Sequence, residues 1–512
     1  MGARKRTAFT SKSYIEENWL LILFLLAYTL LSLLLFNPRL FTGGDNASYI
    51  ILAESIVSGK GYRDIHLPDE PQHTKFPFGF PLLLSLPMFL FGSNFIVLKF
   101  IVLLTGICSI FFLYKISEML LGDRVILHIP LYLSLPLLLA YNSRILSEVP
   151  FICISLGAIY FFMKTRDDGA LFYYLSFVFA AYSFLTRTAG ISLVIAMMLF
   201  LLIKKQYKYF FAFLIVFGIM VVPWFIRNAS IPQEQSYIEQ LIAKDPYQPL
   251  LGRASIIDYA LRVWRNVGFY STKVIPKITL HAITSEIALV FVGLGLLAVI
   301  TIGFIRRLRN VTVIELYLVF TLCILLLWPD VWSSDRFLLP IVWVLSLYLI
   351  AGMCWLAEKI HLPVLSYILV AVIAILNAYV IGINAKQMLT IRERYIAGDR
   401  YAGYRDDWRN YFHVVDAVKM HVPKDKVVMA RKPEFVYVVA GNKSFRYPFT
   451  EDRERVKQAI RQSDYIIIDR FYQLGISTEY YLMPALLETP EDDYELIYKT
   501  DEPVFALIKV KK

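Results

Sequence analysis

Trp19-Leu-Leu-Ile-Leu-Phe-Leu-Leu-Ala-Tyr-Thr-Leu-Leu-Ser-Leu-Leu-Leu-Phe36 carries no charge. At a helical rise of about 1.5 Å per residue it is long enough to cross a hydrocarbon layer of about 30 Å. Met1-Gly-Ala-Arg-Lys-Arg6 precedes it and no small-residue cleavage signal follows it, so the run reads as a retained anchor rather than a signal peptide. Directly beyond stands Phe41-Thr-Gly-Gly-Asp-Asn-Ala-Ser-Tyr49, a carboxylate placed between two glycines and a helical pattern. A membrane anchor therefore opens at once onto a polar loop with chemistry in it.

The same apolar signal recurs outward from this run. Of 512 residues, 57% are hydrophobic and 18% charged, and the mean hydropathy is +0.56, more apolar than a water-covered surface tolerates. Charge-poor runs follow at 95–117, 125–140, 149–163, 170–185, 189–203, 209–226, 287–305, 312–328, 337–356 and 362–383. With 19–36 they predict a polytopic α-helical membrane protein of about eleven transmembrane helices over residues 1–384. Charge becomes dense after Ile383, and residues 385–512 read as a small α/β domain. The net charge of +11 lies in short gaps between apolar runs, where a bilayer wants it, so no nucleic acid is implied. Cys108, Cys153, Cys323 and Cys354 all fall inside apolar runs and read as packing residues rather than a disulfide framework or metal cluster.

The stretch 76–91 is apolar but carries Pro77, Pro81 and Pro87. Three missing amide donors favour an interfacial or re-entrant path over a clean span. Leaving it out places Arg4, Lys5, Arg6, Lys12, Arg124, Lys164, Arg166, Lys204, Lys205, Lys208, Arg306, Arg307, Arg309 and Lys359 on one side of the membrane. The short turns of the other side hold only Arg144, Arg187 and Arg336, and its first loop adds Arg39, Lys60, Arg63 and Lys75. The richer side is cytoplasmic by the positive-inside rule, so loops 37–94 and 227–286 and the tail face outward. In the tail, 426–430, 435–439 and 465–469 read as short strands, 451–462 as a helix, and 494–499 with 503–510 as a closing hairpin. It has no phosphate loop or metal-ligand spacing, which points to packing, docking or recognition.

Asp45 begins a helical pattern in which Tyr49, Leu52, Ala53 and Ile56 share a face and Gly59 is the stop. It suits an N-cap, and a carboxylate partly shielded at an interface also suits a general base. Lys75, in Gln72-His-Thr-Lys-Phe-Pro-Phe-Gly-Phe-Pro81, stands at the mouth of the proline-rich stretch; a snorkelling interfacial lysine would look the same.

This combination of acidic first loop, interfacial helix, basic residue and Pro-Gly-Pro stretch resembles the lipid-linked sugar transferases of the GT-C class. The likeness is to protein O-mannosyltransferases and to the aminoarabinose transferases that modify lipid A. Further motifs follow in order: Arg144-Ile-Leu-Ser-Glu-Val-Pro-Phe151, Leu185-Thr-Arg-Thr-Ala-Gly190, Val222-Pro-Trp-Phe-Ile-Arg-Asn228 and Asp335-Arg-Phe-Leu-Leu-Pro340. The resemblance covers residues 19 to about 350. It implies transfer of a sugar from a polyprenyl-phosphate carrier to a protein, lipid or glycan acceptor on the outer face, by a single inverting displacement. Asp45 and Glu148 are then the catalytic candidates, and Lys75, Arg336 and Arg187 the candidates for the donor phosphate. Arg187 and Arg336 at span ends would equally pair with lipid headgroups, and Ser147-Glu-Val-Pro150 is also a sound helix start. Family members often carry Asp-Glu where Asp45-Asn46 stands. No cofactor is required, although a divalent metal is compatible and His73 is a candidate ligand. Two rival readings are a transporter or flippase of a lipid-linked substrate, for which Lys99, His128 and Glu315 are the charges nearest mid-membrane, and a non-catalytic envelope protein.

Overall fold

The computed structural model describes residues 14–43, 45–231, 237–246 and 251–511. Arg4, Lys5, Arg6 and Lys12, on which the orientation leans, lie outside them, as does the side chain of Arg166. Helix α1 (Tyr14–Leu34) is followed by α2 (Asn46–Val57), α3 (Gly79–Phe91) and α4 (Phe95–Leu121). The predicted span at 125–140 breaks into α5 (Val125–Leu133) and α6 (Pro136–Tyr141), because Pro136 has no amide to continue the ladder. Next come α7 (Glu148–Asp168), α8 (Ala170–Thr186), α9 (Ile191–Ile203) and α10 (Tyr207–Ala229). The second long loop folds into α11 (Tyr237–Ile242), α12 (Ile256–Phe269) and α13 (Ile275–Thr279). The bundle closes with α14 (Glu286–Arg307), α15 (Val313–Leu327), α16 (Asp335–Leu338), α17 (Val342–Lys359) and α18 (Val364–Ile396).

Among the described residues six helical stretches are long and apolar enough to cross a membrane: 95–133, 148–165, 207–229, 286–310, 335–359 and 364–396. Shorter apolar helices, 18–34, 170–186, 188–203 and 313–327, occupy the other predicted runs. The protein is thus a multi-pass membrane protein. Helix α3 does form, with Pro81 in its first turn and Pro87 inside, but at 13 residues it is only about 20 Å long. It lies against α2 and α8.

Close crossings are set by glycine. A Cβ on Gly352 of α17 would lie 2.1 Å from the Val299 carbonyl oxygen of α14, and one on Gly303 would lie 2.0 Å from the Tyr348 oxygen. Bare backbone on both helices lets them touch, as in small-residue membrane interfaces. The charges that a transport reading would use are consumed by structure. Glu315 closes a capping box with Thr312 and accepts from the Tyr348 hydroxyl at 3.0 Å. His128 bridges Ser117 and Ser346, each at 2.8 Å. Lys99 Nζ donates to the backbone oxygens of Asn37, at 2.6 Å, and Arg39.

The loops predicted to face outward gather at one end of this bundle, together with the tail. Helix α18 runs unbroken past Ile383 to Ile396 before the chain enters α19 (Asp406–His421). A mixed sheet of order β2-β1-β3-β5-β4 follows, made of β1 (Val428–Met429), β2 (Ser444–Phe445), β3 (Tyr465–Ile468), β4 (Tyr494–Lys499) and β5 (Ala506–Val510). Strands β2, β1 and β3 are parallel, and β5 pairs antiparallel with β3 and β4. Residues 435–439, predicted as a strand, belong instead to helix α20 (Pro433–Ala440). Pro433 fits its first turn, Gly441 stops it in the left-handed region, and Val436 and Ala440 share a buried face. Tertiary burial overrides the β-propensity of Phe-Val-Tyr-Val-Val. Helices α21 (Arg453–Gln462) and α22 (Met483–Leu487) complete the tail. Tyr49, Leu52, Phe80 and Leu84 from the first loop share one hydrophobic core with Tyr411, Val415, Phe435 and Leu507 from the tail. The tail therefore forms a lid packed on the first loop.

Candidate active site

Four chain segments meet where the bundle ends against this lid. Asp45 occupies the N-cap position of α2, yet its side chain makes no capping hydrogen bond. The carboxylate points instead to α16, where Arg336 Nη2 donates to Asp45 Oδ2 at 2.9 Å. Arg336 Nε pairs with Glu148 Oε1 at the first residue of α7. The same oxygen lies 2.7 Å from Nη1 of Arg187, which holds extended backbone at the end of α8 (φ −149°, ψ 133°). Two carboxylates and two guanidinium groups thus interlock around Arg336, whose planar fork can reach both acids at once.

The cluster is partly closed from water. Glu148 is fully buried and its Oε2 has no hydrogen-bond partner in the protein, while Asp45 keeps 30% of its side chain exposed. The cluster therefore has one inner, locked acid and one outer, accessible acid. Arg187 Nη1 also donates to Ser147 Oγ at 3.0 Å, and the Tyr49 hydroxyl lies 3.2 Å from that oxygen. Tyr49 ties α2 to α7 and packs edge-on against Phe80 of α3. Burial raises the Tyr237 hydroxyl to about 12, with the Asp45 carboxylate adding and Arg187 and Arg336 opposing, so this tyrosine stays a neutral donor beside the cluster. Lys432, at the start of α20, lies within the field of Asp45; burial lowers its pKa, with Glu434 opposing and Arg446 and Arg431 adding to the shift.

Of the residues predicted from the sequence, Asp45, Glu148, Arg187 and Arg336 come together. Lys75 does not join them. It is exposed, with Nζ 5.0 Å from the centroid of the Phe76 ring, and Phe76 in turn packs on Tyr49. Its loop is clamped by Arg227, which donates to the backbone oxygens of Tyr62 and His73, both at 2.8 Å. Both ring nitrogens of His73 are committed: Nδ1 lies 3.0 Å from Asp64 and Nε2 accepts from the Phe76 amide at 2.8 Å. Among the described residues no three His, Cys, Asp or Glu side chains gather as metal ligands. Asn46 is buried and donates to the Phe41 carbonyl at 3.0 Å, which locks the loop. Ser147, Tyr49, Tyr237 and Lys432 went unpredicted. Ser147 beside Glu148, and Tyr49 on the buried face of α2, were the signals available.

Part of this chain matches a known family model, and its bundle, with a charged knot under a packed lid, has counterparts of similar fold among solved membrane-enzyme structures. Residues 75–226 match the family model described as dolichyl-phosphate-mannose-protein mannosyltransferase. The fold is similar to that of ArnT from Cupriavidus metallidurans bound to undecaprenyl phosphate (TM-score 0.59, 11% identity, 96% of this chain and 98% of that one). It is similar to the apo state of the same protein (TM-score 0.59, 12% identity, the same coverage). It also resembles the arabinofuranosyltransferase AftD from Mycobacteria (TM-score 0.50, 12% identity), covering 97% of this chain and 40% of that one. No curated protein matches the chain in sequence.

Proposed function

We propose that this protein is a membrane glycosyltransferase that moves a sugar from a polyprenyl-phosphate carrier to an acceptor at the extracytoplasmic face. The Asp45–Arg336–Glu148–Arg187 cluster carries the reading, because it joins an accessible base to largely enclosed cations at the end of an apolar helical bundle. A similarly folded ArnT binds undecaprenyl phosphate, which supports a polyprenyl-phosphate carrier here. The charge asymmetry of the short loops supports a cytoplasmic N-terminus, with the cluster and the tail outside.

In this mechanism Asp45 accepts the proton of the acceptor's nucleophile as that atom bonds to the anomeric carbon. The bond from the carbon to the phosphate oxygen breaks with inversion, and the electron pair leaves with the polyprenyl phosphate. Arg336 retains N–H donors beyond its two carboxylate contacts and, with Arg187, meets the negative charge that develops there. Glu148 acts as a positioning residue that holds both guanidinium groups. Lys75, at the rim of the first loop, meets the donor phosphate on entry. His73 is engaged on both ring nitrogens and offers no free donor to a metal.

The test is transfer from a radiolabelled polyprenyl-phosphate sugar in isolated membranes. Asp45→Asn should abolish transfer while leaving expression and membrane insertion intact. Full activity in that variant would overturn the assignment.

A further inference from the structure

A separate cavity of about 400 Å³ opens beside the charged cluster, between the chain leaving α1, the end of α6, the far part of α18 and the start of α19. Arg39, Arg144 and Arg405 line it, and no Asp or Glu is among its described lining residues. Arg405 is neutralised by Asp407 at 2.6 Å. Arg144 has no carboxylate partner among the described residues; its guanidinium stacks on Phe41 at 4.3 Å and Tyr141 at 4.2 Å. Arg39 is held by neutral groups as well, donating to the Ala402 carbonyl at 3.0 Å and lying over the Tyr404 ring at 4.7 Å. Lys99, fully buried just behind, donates only to the backbone oxygens of Asn37 and Arg39. Two arginines thus line the cavity without a carboxylate partner, with Lys99 behind them, an arrangement that a bound anion would relieve.

The walls say what else the anion carries. Leu35, Leu40, Ala140 and Met388 supply apolar surface where α1 ends and where α18 leaves its apolar stretch, at the lipid boundary. A second hollow of about 450 Å³ adjoins along α18, sharing Gln387 and Gly403 and adding Ile383, Lys386, Ile391 and Arg394. Phe41 and Thr42 on the wall lead along the chain to Asp45, and Ser143 and Arg144 lead to Glu148. The cavity is therefore a neighbour of the charged cluster, separated from it by those two segments.

From this geometry we infer that the cavity binds a phosphate-bearing amphiphile, its anion between Arg39 and Arg144 and its apolar part against Leu35 and Met388 along α18. The site uses none of the residues assigned to the reaction, so it stands whether or not the transferase reading holds.

The experiment uses the full chain in neutral-lipid nanodiscs titrated with phosphatidylglycerol, with inorganic phosphate in a parallel arm, read by thermal shift and by native mass spectrometry of retained lipid. Wild type should bind phosphatidylglycerol saturably, and Arg144→Gln should weaken binding by at least about tenfold, the loss of one charge-assisted contact. Arg144→Lys should restore part of it. Gln387→Glu, at an exposed wall position, leaves the arginines in place and should weaken binding by like-charge repulsion; it serves if Arg144→Gln fails to fold. Asp45→Asn should bind as wild type does. Binding that is unsaturable, or unchanged in both Arg144→Gln and Gln387→Glu, or lost in Asp45→Asn, would overturn the site. Inorganic phosphate binding as tightly as the lipid would overturn the amphiphile.

Discussion

Arg336 and Asp45 are 291 residues apart in the chain and 2.9 Å apart in space, and the same guanidinium also holds Glu148. A lysine has the charge but not the fork, so it cannot span two carboxylates in one plane. Arg336→Lys should lower kcat/KM for sugar transfer by roughly a hundredfold, about 2.7 kcal/mol, with Arg336→Ala lower still. Wild-type kinetics in Arg336→Lys would show that the fork geometry is not used.

Asp45 sits at an N-cap without capping, which separates its two readings by experiment. Serine is among the best capping residues, so a structural role would tolerate Asp45→Ser. We expect Asp45→Ser to fold with stability within about 0.5 kcal/mol of wild type and to be inactive. An active Asp45→Ser, measured beside its melting curve, would return this residue to a capping role.

Glu148 neutralises two guanidinium groups that are themselves largely enclosed. Removing the acid takes the carboxylate from Arg187 and leaves Arg336 with Asp45 alone, and Glu148→Ala should cost about 3–5 kcal/mol. Glu148→Gln keeps the shape and should lose less stability, but it should still lose transfer because the arginines are no longer held. Thermal unfolding in detergent alongside the transfer assay checks both; an alanine variant as stable as wild type would contradict the burial argument.

Gly352 faces the Val299 carbonyl at a distance no Cβ tolerates. Backbone cannot yield as a flexible side chain does, so Gly352→Ala should force α14 and α17 apart at a cost of about 1–3 kcal/mol. The comparison is Gly295→Ala on α14, where a Cβ meets nothing within 4 Å. Equal melting temperatures for the two variants would refute the crossing as described.

Glu54 accepts a hydrogen bond from Tyr437 of the tail at 3.2 Å. Burial raises its carboxyl pKa, with Tyr437 and Lys60 opposing. The folded state thus binds this proton more tightly than the unfolded state does, and the associated stability is lost as pH rises through the raised value. Glu54→Gln, which can still accept from Tyr437, should melt higher than wild type at neutral pH. The difference should shrink as pH falls through the carboxylate range. A difference independent of pH would sink this account.

Much of the candidate site is legible because its residues stand at helix ends. Asp45 follows a glycine pair before a helical pattern, Glu148 opens a span, Arg187 closes one and Arg336 precedes another. An apolar run of bilayer length has few solutions other than a helix, and charges at its ends mark the interface. Nothing local placed Lys75 outside the knot, committed His73 to Asp64 or made helix α20 from a β-rich pentapeptide. Those outcomes depend on which surface each segment meets.

Lipid-length apolar runs, the side of the bundle that collects the loops, and the candidate acids and bases were determined by sequence alone, because they follow from local composition and helical rise. Tertiary structure decided which acid is buried, which arginine bridges, how the tail shares a core with the first loop, and that two arginines without a carboxylate partner line a second cavity. Such facts arise from contacts between residues hundreds of positions apart, which packing creates and no window of sequence contains.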